Sequence, residues 1–216
     1  MTRRSVVVLA LLVWPTLLEA QGFGVGAGAF NARRRIYYQS TVHEQTGLAV
    51  GARGTVQLGP LRIGAGGWMA TLKGDGTATN PDVKARTTSA TVHAQVVPGV
   101  MVGAQYEVRR FEADVAVSVW TLMGGNVRVE PGLGAAGLRG LIDVSLLPSA
   151  SVSGGPKLSS ALQTTVGVAY APLGSALSVR LGYRVERYDV EAAGASSARY
   201  EQFQGVVVEA GFRIGR

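Results

Sequence analysis

Apolar and polar residues alternate with a period of two along most of the chain. The pattern is clearest in residues 177–188, where Leu177, Val179 and Leu181 share one face with Tyr183 and Val185. Successive side chains of a β-strand point to opposite faces, so the pattern predicts a strand whose two faces meet different surroundings. Residues 162–170 repeat the alternation, and the short connection 171–175 predicts a hairpin between the two strands.

The predicted strands are long. At about ten to twelve residues each, they are about twice the usual globular length of five to six. A transmembrane β-strand needs roughly nine to eleven residues. We therefore predict an all-β protein, a closed antiparallel up-and-down transmembrane β-barrel.

The connections between the predicted strands are short and long in turn. Tight turns are expected at residues 59–60, 98–99 and 172–175, and long polar loops at 35–45, 74–85 and 189–202. Short turns at one end and longer loops at the other are typical of outer-membrane barrels.

Residues 112–157 decide the number of strands. If they form two further strands, the second over residues 138–152, the barrel has ten strands; if they form one long loop, it has eight. Both numbers are even, as in single-chain bacterial barrels. The alternation of residues 142–146 favours ten. Pro148 is then expected at a bulge or a missing ladder bond, and the polar face of this strand is expected to carry Asp143, Ser145, Ser149 and Ser151.

The N-terminus has the features of an export signal. Arg3 and Arg4 precede an apolar run of fourteen residues, and Ala20 is a small residue suited to the cleavage site. The run is too short for a transmembrane helix, which needs about 20 apolar residues. We expect residues 1–20 to be cleaved and residues 21–216 to form a single barrel domain.

Composition narrows the possible chemistry. The chain has thirty glycines and no cysteine, which excludes thiol catalysis and cysteine-bound metals. Its formal charge is +7, and residues 21–216 keep nineteen basic and thirteen acidic residues, a net charge of +6. This excess suits an anionic lipid headgroup layer, although pairing inside a barrel and solvated loops explain it equally well. We expect no nucleic acid partner.

The last eleven residues, 206–216, resemble the C-terminal strand by which outer-membrane barrels of the small OmpA-like and OmpX-like class are recognised for assembly. The alternation of Val206, Val208, Ala210 and Phe212 carries the resemblance. The last residue of that class is usually aromatic, whereas Phe212 stands four residues before the end here. The resemblance implies an outer-membrane location, outer-membrane lipids as surroundings, and the barrel assembly machinery as a partner.

The apolar faces are expected to meet lipid. A lipocalin-like soluble barrel has the same alternation with the apolar face inward, but its outer strand surfaces would carry lysine freely. Here Lys73, Lys84 and Lys157 are the only lysines, and all lie at strand ends or in loops. The residues expected to face lipid include Val166, Val168, Val179, Leu181, Tyr183, Val206, Val208 and Phe212.

The polar faces then line a narrow lumen. A charge loses much of its water there, so charges of opposite sign should form a network that plugs the lumen. The residues assigned to this network are Arg53, Glu107, Arg109, Arg180, Arg184, Glu186, Glu209 and Arg213.

Aromatic residues are candidates for the girdles at the two membrane interfaces. A general preference of aromatic residues for strands explains some of them equally well. The candidates are Tyr37, Tyr38, Tyr106, Phe111, Tyr170, Tyr183, Tyr188 and Phe212.

Catalytic residues are scarce in the sequence. The two histidines are His43, in a predicted loop, and His93, on a polar face. Ser89 is four residues from His93, too far along a strand for a direct hydrogen bond at about 3.3 Å per residue. We expect no enzyme, metal or cofactor. Three functions remain: a structural or adhesive barrel acting through its loops, a small passive channel or solute carrier, and, third, a lipid-modifying enzyme of the outer membrane.

Overall fold

The computed structural model describes residues 22–38, 41–77, 80–114, 116–153, 157–191 and 199–215. The predicted signal peptide, residues 1–20, lies outside this range. No helix in the described part of the chain is long and apolar enough to cross a membrane. The described part contains ten strands: β1 (Gly22–Tyr38), β2 (Thr41–Leu58), β3 (Leu61–Leu72), β4 (Val83–Val97), β5 (Val100–Ala113), β6 (Ala116–Val129), β7 (Leu138–Ser153), β8 (Leu158–Tyr170), β9 (Leu177–Val190) and β10 (Arg199–Gly215).

The strands form one closed antiparallel barrel. Each strand pairs with its neighbours in sequence, and β1 closes the barrel by pairing with β10 from Gly22↔Gly215 to Tyr37↔Tyr200. Closure leaves no open sheet edge, so backbone N–H and C=O groups are paired within the ladder, as a hydrocarbon environment requires. The prediction of an up-and-down barrel with ten strands is confirmed.

Residues 112–157 contain the two strands that the alternation predicted. The register between β6 and β7 shifts between the Met123↔Ser149 and Gly125↔Leu146 pairs, so Pro148 lies in a bulge. Proline lacks the N–H that a regular ladder uses, and a bulge removes that requirement. The bulge also reverses the faces of β7 beyond it. Ser149 and Ser151 are exposed on the outside, so their assignment to the lumen face was wrong.

The strands at the loop end extend further than predicted. β1 continues to Tyr38 and β2 starts at Thr41, so the expected loop over 35–45 is a strand hairpin. Arg33, Arg34 and Arg35 belong to β1. β10 begins at Arg199, inside the loop predicted over 189–202. These segments have polar outer faces and therefore lack the apolar signal used to recognise a strand.

The two ends of the barrel differ in their connections. The turn end carries the connections 59–60, 98–99, 130–137 and 171–176, together with the start of β1 and the end of β10. Gly59 (φ 57°) and Gly99 (φ 79°) take the left-handed conformation, which glycine adopts without steric cost. The loop end carries the other five connections. The β3–β4 connection takes part in two isolated antiparallel bridges, Thr46↔Lys73 and Thr77↔Asn80.

The interior of the barrel is divided between these ends. An apolar cluster fills the half next to the loop end, whereas charged and polar side chains line the half next to the turn end. The cluster draws on all ten strands and includes Phe30, Trp68, Leu72, Val83, Phe111, Trp120, Leu122, Leu147, Leu158, Tyr188 and Phe203.

The eight residues expected to face lipid all lie on the outer surface, with 39% to 52% of each exposed. On β9 the outward residues are apolar from Leu177 to Val185, and the next outward residue is Arg187. The centre of this apolar run is Leu181, and Val179 lies nearer the turn end. Contact with lipid remains a prediction.

Arginine substitutions on β9 test which face of the strand meets lipid and how deep each residue lies in the bilayer. We expect Leu181→Arg to destabilise the folded barrel in bilayers by about 2–4 kcal/mol, because the midplane cost of a lipid-facing arginine is of that size and falls towards the interfaces. Val179→Arg should cost less, and Ser178→Arg, directed into the lumen, least. Urea unfolding in lipid vesicles measures this order. A larger effect at Ser178 than at Leu181 would show that the faces are inverted.

Candidate functional site

A four-residue charge cluster crosses the middle of the lumen. Arg109 on β5 donates from Nη1 to Glu186 Oε2 on β9 at 2.7 Å and from Nη2 to Glu107 Oε1 at 2.8 Å. The Arg184 guanidinium lies beside the other oxygen of Glu186. Arg109, Glu107 and Glu186 are at most 1% exposed. The cluster is formally neutral, and because β5 and β9 stand on opposite sides of the barrel it spans the lumen.

Aromatic rings surround the central arginine. The guanidinium carbon of Arg109 lies 5.2 Å from the Trp68 ring centre and 4.9 Å from those of Tyr188 and Phe203. Cation–π contacts of this kind gain in strength when the cation is desolvated. Tyr188 also donates its hydroxyl to Glu186 at 2.8 Å. Arg109 is therefore held by two carboxylates and three rings.

Amides extend the polar layer from this cluster to neighbouring strands. Gln163 Nε2 donates to the two Glu107 oxygens at 3.2 Å and is 3.0 Å from the Tyr188 hydroxyl. Gln105 Nε2 donates to Gln163 Oε1 at 2.9 Å, and Ser145 donates to Gln105 Oε1 at 2.7 Å. Each bond satisfies a group that would otherwise be buried without a partner.

His93 belongs to the same layer. Its Nε2 bonds with Asn126 Oδ1, and Asn126 Nδ2 donates to Ser145 and to Asp143 at 2.7 Å each. His93, which the sequence placed on a polar strand face, is thus a hydrogen-bonded side chain of the lumen. Ser89 has no hydrogen bond with it in the described part of the chain.

A second buried ion pair lies nearer the loop end. Arg34 donates from Nη2 to Glu201 Oε2 at 2.6 Å and from Nη1 to Gln45 Oε1 at 3.1 Å. Its guanidinium lies 4.5 Å from the centre of the Phe111 ring. Sequence reasoning missed this pair because Gln45 and Glu201 fell in the loops predicted over 35–45 and 189–202.

Aromatic side chains pack together above the charge cluster. Phe111 meets Trp120 edge-on at 4.7 Å, Trp120 lies 5.1 Å from Tyr188, and Phe203 lies within 6 Å of Phe111 and Tyr188. Phe111 is 4% exposed and Tyr188 0%, so their assignment to an interfacial girdle was wrong. We call Phe111, Trp120, Tyr188 and Phe203, with the aliphatic residues packed on them, the plug.

The remaining girdle candidates have other positions. Tyr37 stacks on Tyr200 at 4.1 Å on the outer face of the loop end, and the Tyr38 side chain lies outside the described part. The candidates that are exposed on the outer surface are Tyr106, Tyr170, Tyr183 and Phe212.

In the turn half, Glu209 on β10 pairs with Arg53 on β2, across β1. Two glycines of β1 leave room for the Glu209 side chain to cross that strand. A Cβ on Gly26 would lie 2.6 Å from Glu209 Oε1, and a Cβ on Gly28 would lie 3.1 Å from the Glu209 Cβ. The direct cross-strand neighbour of Glu209 is Arg180, yet the Glu209 carboxylate forms its ion pair with Arg53.

Glu130, in the turn after β6, forms a second acidic centre. Arg128 Nε donates to Glu130 Oε1 at 2.7 Å, Arg62 lies at 3.5 Å and Arg139 at 3.9 Å. Burial acts to raise the pKa of Glu130, but the positive charges of Arg128, Arg62 and Arg180 outweigh it and lower the pKa to about 2. Sequence reasoning did not include Glu130 in the lumen network.

Two adjoining cavities lie in this half. One has a volume of about 250 Å³ and the other about 150 Å³. Both are lined by Arg53, Arg62, Arg128 and Arg180. The smaller one also touches the turn residues Gly137, Ala171 and Ser175, and so reaches the turn end.

The eight residues assigned to the lumen network fall into three groups. Glu107, Arg109, Arg184 and Glu186 form the central cluster, and Arg53 pairs with Glu209. Each of the three glutamates therefore contacts an arginine. Arg180 and Arg213 have no ion pair in the described part of the chain; Arg180 lines both cavities, and Arg213 is exposed at the turn end.

Among the described residues, no group of three or more His, Asp or Glu side chains is close enough to hold a metal ion. The arrangement provides guanidinium groups around a cavity in one half and a packed plug in the other.

Comparisons with known proteins support the fold. No family model matches the chain, and no curated protein matches it in sequence. The outer membrane protease OmpT from Escherichia coli is a similar solved structure, with a TM-score of 0.65, 6% identity, and coverage of 90% of this chain and 97% of that one. The translocator domain of the autotransporter NalP from Neisseria meningitidis gives a TM-score of 0.47 at 15% identity, covering 98% of each chain. The chain has the fold of small outer-membrane β-barrel proteins.

Proposed function

We propose that this chain is an outer-membrane barrel with a closed lumen, and that it acts through the surface at its loop end as a structural or adhesive protein. The plug is the observation that carries the proposal. Buried side chains from all ten strands fill the loop half of the interior, and the hydrogen-bonded charge cluster lies directly beneath them. In this proposal, such packing among the described residues closes the path for water between the two ends.

The orientation follows from the connections. Outer-membrane barrels have short periplasmic turns and longer extracellular loops, so the turn end faces the periplasm and the loop end faces outward. In this proposal residues 1–20 direct export and are removed, lipids of the outer membrane contact the apolar outer band, and β10 is the strand that the assembly machinery recognises.

The strands that extend above the lipid band form the exposed surface. Glu44 on β2 pairs with Arg33 at 3.0 Å and with Arg35 at 2.9 Å, and Arg187 lies over the Tyr200 ring at 4.4 Å. These side chains point outward from a continuous ladder rather than from separate loops. A rigid surface of this kind suits adhesion or contact with anionic headgroups.

Planar bilayers test the closed lumen. We expect the reconstituted wild-type protein to show small or no conductance, because the plug excludes a hydrated ion path. The folded state is checked in parallel by heat-modifiable migration of the same preparation. A large, steady conductance from folded protein would overturn the proposal and favour a channel.

A passive channel is the second candidate, because the turn half contains a polar cavity of about 150 Å³ that reaches one end. For a channel, movement of the plug would have to join that cavity to the loop end. An enzyme is third: the solved structure most similar in TM-score among those above is described as a protease, but in this chain His93 is engaged by Asn126. We expect no hydrolysis of peptide or lipid substrates by the purified barrel, and turnover of either would contradict this.

A further inference from the structure

The turn half of the lumen carries an excess of positive charge. Its basic residues outnumber its acidic ones six to three: the arginines are 53, 62, 128, 139, 180 and 213, and the acids are Asp143, Glu130 and Glu209. The central cluster cannot offset the excess, since its two arginines are matched by its own two glutamates. Arg139 and Arg213 are exposed, but the other four arginines still outnumber the three acids, so a net positive charge remains inside a confined space.

Arg180 is the arginine of this half that is best placed to bind a further anion. It has no hydrogen bond and no ion pair among the residues described, although it faces Glu209 across the β9–β10 ladder. Glu209 reaches over Gly26 to Arg53 instead. Arg128 adds a second available donor, because its Nη2 is buried without a hydrogen-bond partner.

Both donors face an accessible space. Arg180 and Arg128 line the cavity of about 250 Å³ and the smaller one that reaches the turn end. Drug-sized ligands occupy pockets of roughly 300–1,000 Å³, so the larger cavity suits a smaller guest. The planar fork of N–H donors on arginine matches phosphate-type oxyanions, and such bonds are strong where water is limited.

We propose that the turn half of the lumen is a binding site for a small soluble oxyanion of the phosphate type, held by Arg180 and Arg128 with Arg53 and Arg62 around it. The ligand enters from the turn end. The strand ladder encloses the cavity on all sides, so a lipid headgroup on the outer surface cannot reach it while its acyl chains stay in the bilayer. The site is distinct from the loop-end surface proposed above.

Calorimetric titration with inorganic phosphate tests the site. The folded wild-type barrel, in an uncharged detergent, should bind phosphate. Arg180→Gln should weaken binding by about tenfold or more, because it removes charge-assisted hydrogen bonds. Its melting temperature should not fall, since Arg180 has no ion pair to lose. The matched control is Arg86→Gln, which removes the same charge from an exposed outer position without an ion pair in the described residues.

Three results would overturn the proposal. The first is no binding of phosphate by the wild-type barrel, and the second is equal weakening by Arg180→Gln and Arg86→Gln, which would indicate only a general charge effect. The third is binding to phosphatidylglycerol vesicles that depends on Arg180 while binding of inorganic phosphate does not. Glu209→Gln should have the opposite effect to Arg180→Gln. Because it removes a negative charge next to the site, it should strengthen phosphate binding, and weaker binding by the folded variant would contradict the proposal.

Discussion

Replacing Glu186 by alanine should destabilise the folded barrel by about 3–5 kcal/mol, the usual cost of removing one partner from a buried ion pair. Glu186 accepts hydrogen bonds from Arg109 and Tyr188 and lies beside Arg184. Its loss leaves two arginines with a single carboxylate, Glu107, in an interior with little water. Equilibrium unfolding by urea in lipid vesicles measures the change.

An exposed ion pair provides the matched control. Arg110 and Glu112 are paired on the outer face of β5, with side chains 53% and 29% exposed. Glu112→Ala should cost at most about 1 kcal/mol, the range for surface pairs. The cause is tested by making Glu186→Ala in a chain that also carries Arg109→Met. If Glu186→Ala no longer lowers the free energy of unfolding in that background, the orphaned arginine is the cause. A Glu186→Ala penalty no larger than that of Glu112→Ala would contradict the central role of the cluster.

Phe203→Ala should cost a similar amount, about 3–5 kcal/mol, because it leaves a cavity in a packed interior. Phe203 is 1% exposed and lies against Phe111 and Tyr188 within the plug. The same change removes a ring from the part of the lumen that blocks ions. We expect brief conductance events in planar bilayers that the wild-type protein lacks.

Phe212→Ala is the matched control for Phe203→Ala. It shows whether the effects come from the lost packing in the plug or from the loss of any aromatic residue. Phe212 is 43% exposed on the outer surface of β10, the same strand that carries Phe203. This variant should lose less stability in vesicles and show no conductance events. Equal conductance from the two variants would show that the plug does not control the path.

The alternation of residues was sufficient to predict the faces of the membrane-spanning part. A strand has a side-chain period of two, so one correctly placed residue such as Leu181 fixes the positions of its neighbours. The closed barrel then follows because a membrane permits no open sheet edge. The alternation of residues 142–146 also predicted strand β7, with Pro148 expected at a bulge or a missing ladder bond; the structure has the bulge.

The loop half could not be predicted in this way because the polarity of the two faces reverses there. Beyond the apolar outer band the outer face carries Arg33 and Arg110, while the inner face carries Ala32 and Phe111. The period is unchanged, but the apolar residues now point inward. A pattern that is interpreted with one rule for the whole strand therefore assigns Phe111 to the wrong side.

The choice of ion-pair partner also depends on structure. From the sequence alone, Glu209 is one of three glutamates facing several arginines. Its pairing with Arg53 instead of the adjacent Arg180 depends on the register of three strands and on the missing side chain of Gly26, over which the Glu209 carboxylate lies. Such information is absent from the periodicity of any single strand.

The plug and the arginine-lined cavity are arranged in series along one axis, which has a consequence for ion selectivity. In the proposed closed barrel, the resistance to ion flow lies in the plug and in the central charge cluster beneath it. The turn half already has the lining of an anion pathway, since rings of arginine favour anions in pores. If truncated plug residues open a path, the current through it should be carried mainly by anions without any change to the charged residues. A closed barrel of this design thus has its anion-selective lining in one half, while the plug and the central cluster together form the barrier.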